Sequence, residues 1–312
     1  MKLKEALDLF LSIDRSDETH RTYQRFLTRF VNALGPERSL ELITEKDIGE
    51  FIHDMRHQKA KYEGHKRRPI VQEPLSAATI YKNIKMIKTF FKWCVKKEYL
   101  ESSPAEEVSN RRPTRPLGQG KAATDKEVRK LLEAAQFKPR DLALVQLLAQ
   151  SGCRAGEAAA LKIRDLDLES NRAYVDGKGD IRRMIFFDPA TSESLKAWLA
   201  VRPKVNHDYV FTSVRDNHKP LSSWAVSNII RRLSKTAKLK RELGAHSLRH
   251  RVGLTFARNR VSPRVTQAYL GHTNIKTTLE YYQDVDESDL VKAGSLLSSD
   301  LSEWREQKKQ NP

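Results

Sequence analysis

Hydrophobic residues in the first hundred positions recur every three or four residues, the spacing of one face of an α-helix. The spacing predicts a helix near the N-terminus and further helices over Thr22–Leu34, Thr44–Arg56 and Ser76–Lys97. The last of these has the clearest pattern, formed by Ile80, Ile84, Ile87, Phe91 and Val95. We therefore expect residues 1–110 to form an all-helical domain.

The pattern changes in the second half of the chain. A capping box at Thr124-Asp125-Lys126-Glu127 predicts the start of a helix, and an apolar helix follows over Asp141–Gln150. Arg172–Asp176 and Arg182–Phe187 flank Gly-Lys-Gly-Asp and predict a β-hairpin with Lys178 in its turn. Helices are predicted again over Ser192–Val201, Ser222–Lys238, Ser247–Arg258 and Pro263–Leu270. The expected fold is mainly α with a small β-sheet.

Between the two halves, the segment from Asn110 to Gly120 is rich in Pro, Gly and Arg and has almost no apolar residues. This composition is typical of an extended interdomain linker. We place the linker at residues 111–122 and an α+β domain at residues 123–312.

The charge of the chain is strongly positive, with 57 Lys and Arg against 40 Asp and Glu and a formal net charge of +17. Residues 1–110 hold 20 basic and 17 acidic residues, whereas residues 111–312 hold 37 and 23. The excess favours a polyanion as partner, although charge alone does not identify one.

Several basic residues are candidates for contacts with such a polyanion. One face of the Ser76–Lys97 helix carries lysines, and the linker carries arginines: Lys82, Lys85, Lys88, Lys92, Arg111, Arg112 and Arg115. Lysines at helical spacing are typical of a solvated face, and on a DNA-binding domain they would lie along the phosphates. Both interpretations stay open from these residues alone.

Cys94 and Cys153 are the only cysteines, too few for a disulfide framework, which favours a reducing compartment. The first residues lack the apolar core of a secretion signal. No apolar run is long enough to span a bilayer. We expect a cytoplasmic protein with no membrane partner.

The candidate chemistry lies in the second half. A phosphodiester under attack gathers negative charge on its non-bridging oxygens, which fixed cations must stabilise. Guanidinium groups suit this role because they stay charged and grip two oxygens. Arg154, in Gly-Cys-Arg-Ala-Gly-Glu, and Arg249, in His-Ser-Leu-Arg-His, are the candidates. Glu157, three residues after Arg154, would orient its guanidinium, and an ordinary surface ion pair is the alternative.

Two histidines accompany Arg249. His246 lies three residues before it, where the Ser247–Arg258 helix is predicted to begin, so both side chains could face an anion at the helix N-terminus. His250 follows His246 by four residues, the spacing of a zinc helix, but Ser247 stands where a zinc protease carries its glutamate. We therefore assign no metal and expect His250 to have a supporting or core position.

His272, in Leu-Gly-His, and Tyr281 are nine residues apart. On one straight helix they would be separated by about 13.5 Å and face different sides. To serve one phosphate, the chain must bend between them. Gly271 and Asn274 provide turn residues, and Thr277 or Thr278 is the predicted N-cap of a short helix that carries Tyr281.

Tyr281 is the candidate nucleophile. A phenol with a pKa of about 10 needs a base or nearby cations to attack at neutral pH. We assign the base to His246 and the general acid that protonates the departing 5′ oxygen to Lys178.

Arg154, Lys178, His246, Arg249, His272 and Tyr281 together resemble the catalytic set of the tyrosine recombinase (phage integrase) family. The resemblance implies a SAM-like core-binding domain and a catalytic domain that close as a C-shaped clamp on a double-stranded DNA recombination site. It implies a 3′-phosphotyrosyl intermediate, strand exchange through a Holliday junction by a homotetramer, and no metal or ATP cofactor. Without DNA, the protein would be a monomer or weak oligomer.

The resemblance also bears on the end of the chain. Tyr282 adjoins Tyr281, but the family spacing from Leu-Gly-His points to Tyr281. An apolar stripe of Leu297, Leu301 and Trp304 resembles the tail helix that family members dock on an adjacent protomer. Packing of this helix on its own domain is the alternative.

Two other functions remain open from the sequence. One is a DNA-binding accessory protein that keeps the scaffold without catalysis, and the other is a type IB topoisomerase-like enzyme that nicks and closes DNA. The sequence does not reveal the DNA target or distinguish integration, resolution and transposition.

Overall fold

The computed structural model of the chain describes residues 1–58, 71–111, 113, 122–177, 182–214 and 217–282. Its packing divides the chain into two compact units, Met1–Arg115 and Pro116–Pro312. Most of the predicted linker, including Arg112 and Arg115, lies outside the described residues, so the linker stays a prediction. The predicted fold class, mainly α with a small sheet, is confirmed.

The N-terminal unit is helical throughout its described part, with α1 Leu3–Leu11, α2 Asp17–Leu34, α3 Glu45–His57 and α4 Ala77–Lys96. The predicted starts of α3 and α4 are confirmed, because Thr44 accepts a hydrogen bond from the Asp47 amide and Ser76 accepts one from the Thr79 amide. α2 begins five residues before its predicted start, because its first turn is polar and gives no hydrophobic signal.

The core of this unit is built from aromatic and aliphatic side chains. Phe10 packs edge-on against Phe90, with ring centroids 5.4 Å apart, and Phe30 packs edge-on against Phe51 at 5.0 Å. Every buried residue in the described part of the unit is hydrophobic. Packing of apolar surface therefore accounts for its stability.

The lysine face of α4 lies on the outside of the unit. Lys82, Lys85 and Lys92 are exposed, as is Arg111 beyond the helix. Lys88 is half-buried and its Nζ donates to the Glu106 carbonyl oxygen at 3.0 Å. Contact of these residues with DNA stays a prediction.

The C-terminal unit surrounds an apolar helix with other helices and a small antiparallel sheet of order β1-β2-β3. Strand β1 was not predicted, because two residues are too few to show alternation. The elements are α5 Asp125–Ala135, α6 Pro139–Ser151, α7 Ala155–Ala160, β1 Leu166–Asp167, β2 Arg172–Asp176, β3 Arg182–Phe186, α8 Pro189–Val201, α9 Ser223–Thr236, α10 Ala245–Arg258, α11 Pro263–Leu270 and α12 Ile275–Leu279.

Helix α6 forms the centre of this unit. Ala143, Leu144, Leu147 and Leu148 are fully buried, and α5, α8 and α10 pack around them. A helix that buries apolar residues over most of its circumference requires such enclosure. In the described part of the chain, no helix has the length and apolarity needed to cross a membrane.

Candidate active site

The turn after α6 places Arg154 at the start of α7. Gly152 ends α6 with φ +60°, and a Cβ there would lie 2.8 Å from the Leu270 side chain, so both conformation and space require glycine. The Arg154 amide donates to Glu157 Oε2, and its Nη1 donates to Glu157 Oε1, both at 2.7 Å. Glu157 is buried, so it holds Arg154 from inside the fold.

Arg249 lies inside the unit rather than at its surface. α10 begins at Ala245, two residues before the predicted start, which places Arg249 in the second turn and 1% exposed. Its Nη1 donates to the Gly152 carbonyl oxygen at 2.8 Å and its Nη2 to the Leu270 carbonyl oxygen at 2.6 Å. Burial, with the nearby Arg154, lowers the pKa of Arg249 to about 10, so the group stays charged at neutral pH.

Arg183 also belongs to this group of arginines, although the sequence did not predict it. It lies in β3, where its Nη1 donates to the Tyr269 carbonyl oxygen at 2.6 Å and its Nη2 to Glu157 Oε2 at 2.8 Å. One signal was available, because Arg183 shares the strand face of the buried Ile185. An arginine at an inward position of a strand needs buried partners, and here it has them.

Three arginines therefore converge on one stretch of backbone. Arg183, Arg249 and Arg154 donate to the carbonyl oxygens of three consecutive residues, Tyr269, Leu270 and Gly271. These oxygens end α11, where a helix presents unpaired acceptors and the negative end of its dipole. Only one carboxylate, that of Glu157, pairs with these arginines in the described residues, so positive charge remains in excess.

The pKa of Glu157 reflects this surplus of cations. Desolvation raises the pKa, but Arg183 and the hydrogen bonds from Arg154 more than offset it, and the pKa lies below its ordinary value. Glu157 is therefore ionised at neutral pH and serves as a fixed partner for the guanidinium groups, the orienting position predicted for it.

The chain bends between His272 and Tyr281, as predicted. Gly271 ends α11 in the left-handed region at φ +65°. The predicted N-cap of the next helix was wrong: Asn274, rather than Thr277 or Thr278, caps α12 by accepting from the Lys276 amide at 2.9 Å. An asparagine side chain caps its own second neighbour readily, so α12 begins earlier and ends before Tyr281.

The rings of His272 and Tyr281 stack at 6.2 Å between centroids. His272 Nδ1 shares a hydrogen bond of 2.8 Å with Thr278 Oγ1. Burial, together with Arg249, Arg154, Arg183 and His246, lowers the pKa of His272 to about 4. The imidazole is therefore neutral at pH 7.

The Tyr281 hydroxyl contacts His250, whose Nδ1 lies 3.0 Å away. The His250 ring in turn lies 4.4 Å from the ring of His246, the predicted base. His246 and His250 are one helical turn apart on α10, and His250 is the one that faces the Tyr281 hydroxyl. His250, expected to have a supporting or core position, is thus the residue that meets the nucleophile candidate.

Gly253 lies beneath the Tyr281 ring. A Cβ at position 253 would lie 2.5 Å from Tyr281 Cε2, so only glycine admits the ring in this place. Burial raises the pKa of Tyr281, and the nearby Arg249 partly offsets the rise. The phenol is therefore protonated at neutral pH and has an imidazole nitrogen of His250 within hydrogen-bond distance.

The structure brings together five of the six predicted catalytic residues; the sixth, Lys178, lies outside the described residues, as do residues 283–312 with the predicted tail helix. Tyr282 has a different environment, because its hydroxyl contacts the Val261 carbonyl oxygen and Thr266 Oγ1, each at 2.5 Å. No three His, Cys, Asp or Glu side chains among the described residues are grouped to hold a metal.

Comparison with known proteins gives two domain matches that follow the two units. Residues 7–101 match the phage integrase N-terminal SAM-like domain. Residues 121–288, more than half of the chain, match the Phage integrase family. The chain belongs to the phage integrase family. The predicted membership in the tyrosine recombinases is thereby confirmed.

Curated relatives of this integrase-family protein include Xer recombinases. It is 26% identical to tyrosine recombinase XerC of Thermodesulfovibrio yellowstonii over 86% of this chain and 94% of that one. It is 27% identical to XerD of Halalkalibacterium halodurans over 87% and 89%. The Tn1549 transposon integrase, solved with transposon right end DNA, has the same fold, with a TM-score of 0.74, 16% identity, and coverage of 96% and 100%.

Proposed function

We propose that the protein is a site-specific DNA recombinase that breaks and rejoins strands through a 3′-phosphotyrosyl intermediate and a Holliday junction. The observation that carries the proposal is the contact of the Tyr281 hydroxyl with His250, beside His272 and the buried Arg249. These residues come from separate segments of the chain, and their convergence matches the requirements of attack on a phosphodiester.

In the proposed reaction, Arg154 and Arg249 stabilise the charge that develops on the non-bridging oxygens. Arg154 is partly exposed and Arg249 is buried. Fixed acceptors already orient both guanidinium groups. Orientation before the substrate binds lowers the cost of reorganisation in the transition state.

Tyr281 attacks the phosphorus, and its proton leaves to a histidine. His246 is the predicted base, and the geometry supports His250 as the first acceptor, because its Nδ1 already shares the phenol hydrogen bond. In this proposal, neutral His272, whose Nδ1 is held by Thr278, hydrogen-bonds the phosphate through Nε2. Lys178 protonates the departing 5′ oxygen.

The phosphotyrosyl bond conserves the energy of the broken phosphodiester, so a freed 5′ hydroxyl of a second strand can reverse the step. The partner is a double-stranded recombination site, held in part by Lys82, Lys85, Lys92 and Arg111 on the exposed surface. Solved structures of similar fold include an integrase with its transposon end. A homotetramer on paired sites completes the exchange.

A suicide substrate tests the proposal. A duplex selected from a random library by binding to the Tyr281→Phe protein is nicked at successive positions, so that cleavage releases a short fragment and traps the covalent adduct. We expect the wild-type protein and the Tyr282→Phe control to form adducts that resist denaturation, and the Tyr281→Phe protein to form none while it binds the duplex equally well.

Other outcomes distinguish the alternatives. Binding by the wild-type protein without any adduct indicates an accessory DNA-binding protein. Adducts that persist in Tyr281→Phe contradict the assignment of the nucleophile. Relaxation of supercoiled plasmid by a monomer, without four-way junctions from paired sites, indicates a topoisomerase-like activity.

A further inference from the structure

Arg183 is the one arginine of the cluster without an assigned role. We propose that it is a positioning residue for DNA cleavage, which fixes the Gly271–His272 corner against Arg154 so that both face one phosphate. The inference rests on the proposed recombinase function and adds a residue to it.

The hydrogen bonds of Arg183 span the two halves of the site. One guanidinium nitrogen holds the Tyr269 carbonyl oxygen, two residues before Gly271, and the other holds Glu157 Oε2. Glu157 uses its other oxygen for Arg154, which in turn donates to the Gly271 carbonyl oxygen. Arg183, Glu157, Arg154 and the corner thus form a closed ring of hydrogen bonds.

Arg183 also packs directly on the corner. A Cβ at Gly271 would lie 2.5 Å from both Cδ and Nε of Arg183, so the left-handed turn and the arginine occupy adjoining space with none to spare. The Arg183 side chain therefore packs closely against the turn that carries His272. The coupling is steric as well as electrostatic.

The burial of Arg183 argues against a purely structural role. Its side chain is 9% exposed, and its Nε has no hydrogen-bond partner among the described residues. A buried charge and an unpaired donor both cost stability, and an apolar side chain of the same size would avoid both costs. Functional sites are where such costs are retained.

The position in the sheet extends the coupling. Arg183 is the second residue of β3, which pairs with β2 through Val175, and the predicted general acid Lys178 lies in the chain between these strands. Neighbouring Arg182 faces the other side and pairs with Asp165. The two adjacent arginines therefore provide a matched pair for comparison.

The experiment measures the single-turnover rate of adduct formation at saturating suicide duplex for Arg183→Met, Arg183→Lys and the control Arg182→Met. We expect Arg183→Met to be slower by about 100-fold, the effect of displacing a reacting group by about an ångström. Arg183→Lys should be slower by about tenfold, because an ammonium keeps the charge but cannot donate to the Tyr269 carbonyl oxygen and Glu157 in the fixed planar geometry of a guanidinium. Arg182→Met should stay within about twofold, because the Arg182 side chain is exposed and its ion pair with Asp165 lies outside the site.

The pH profile separates positioning from general weakening. Glu157 is faced by Arg154 and Arg183, and His272 by Arg249, Arg154, Arg183 and His246. Loss of the Arg183 charge raises the pKa of both groups, so we expect the acid limb of the rate profile to move to higher pH in Arg183→Met. Arg182→Met should keep the wild-type profile.

Equal rates and equal pH profiles for Arg183→Met and Arg182→Met would overturn the inference. A rate of Arg183→Met that is lower by the same factor at every pH would also overturn it. Should Arg183→Met fail to unfold cooperatively, Arg183→Lys decides: a wild-type rate overturns the inference, and a slower rate with the acid limb unmoved supports it, because the ammonium keeps the charge and loses only the fixed pair of hydrogen bonds. Absence of adducts with the wild-type protein would instead contradict the proposed function itself.

Discussion

The two units of this integrase-family protein bury different kinds of residue in their cores. Every buried residue described in the N-terminal unit is hydrophobic, whereas the C-terminal unit buries Arg140, Asp141, Glu157 and Arg249. Charged groups are expensive to bury even when paired. The C-terminal unit therefore gives up stability to hold guanidinium groups in place, and the N-terminal unit, with no such groups buried in its described part, does not.

This difference predicts how the two units respond to substitution. Core substitutions in the N-terminal unit should change stability and leave the cleavage step unchanged once DNA is bound. Substitutions of buried charges at the site in the C-terminal unit should change the cleavage rate as well.

Arg249→Met removes a buried cation of the site. We expect adduct formation to slow by about 10²–10³-fold, as when one transition-state donor is lost. The free energy of unfolding should fall by about 1–3 kcal/mol for each of the two carbonyl oxygens left unpaired, those of Gly152 and Leu270. Suicide-substrate kinetics and urea denaturation give the two quantities.

Arg140→Met is the control for Arg249. Arg140 is also buried and pairs with Asp141, but it lies at the opposite end of α6, about 18 Å from Gly152. Asp141 keeps its ion pair with Arg232, so we expect the free energy of unfolding to fall by about 1–3 kcal/mol for the Thr212 carbonyl oxygen left unpaired, with the cleavage rate of the folded, bound protein unchanged. An equal loss of rate in both variants would mean that buried charge in this unit serves only folding.

Phe90→Ala makes the corresponding cavity in the N-terminal unit. Phe90 is fully buried against Phe10 and Phe91, and the substitution should lower the free energy of unfolding by about 3–5 kcal/mol. At saturating DNA the rate of adduct formation should match that of the wild type. The exposed Leu42→Ala is the control and should change stability by less than about 0.5 kcal/mol; a slow cleavage step in Phe90→Ala would contradict the division.

Gly253→Ala tests the packing of the Tyr281 ring against α10. The added methyl group would lie 2.5 Å from the Tyr281 ring, so the phenol must move, and we expect cleavage to slow by about 10–100-fold without loss of DNA affinity. Gly49→Ala in α3 is the matched control, since no atom lies within 4 Å of its added Cβ. It should gain up to about 1 kcal/mol from helix propensity and cleave normally.

Protonation of His272 gives the smallest effect. Its folded pKa of about 4 lies below the unfolded value of 6.5, so between these values the unfolded chain binds a proton that the folded chain does not. Stability is lost as the pH falls from 6.5 towards 4, by about 1–2 kcal/mol once the partial exposure of the ring is allowed for. Urea denaturation across this pH range measures the free energy of unfolding of the wild type and of His272→Gln. The difference in this free energy between the two proteins should shrink at low pH, and a constant difference would contradict the prediction.

The sequence predicted the parts of the fold that depend on local pattern. Capping residues such as Thr44, Ser76 and Thr124 mark helix starts by their own hydrogen bonds, and alternation identifies β2 and β3. Starts without a hydrophobic signal, such as that of α2, were misplaced, because tertiary packing extends a helix through polar turns.

The sequence indicated most of the residues of the candidate site but not the contacts between them. Arg154, Glu157, Arg249, His272 and Tyr281 carry spacing signals that are visible in one dimension. The contact of Tyr281 with His250 depends on where α10 begins and on the bend at Asn274, each of which differs by a few residues from the prediction. Arg183 was missed because its partners, Tyr269 and Glu157, are distant in sequence.

The three arginines of the site are anchored to main-chain oxygens at positions 269, 270 and 271. Any amino acid at these positions supplies the same acceptor, so a change of side chain cannot abolish the anchorage unless it redirects the backbone. Substitutions at positions 269 and 270 that keep the backbone path can therefore leave the hydrogen bonds of the arginines in place. Position 271 is the exception, since a residue other than glycine there would collide with Arg183.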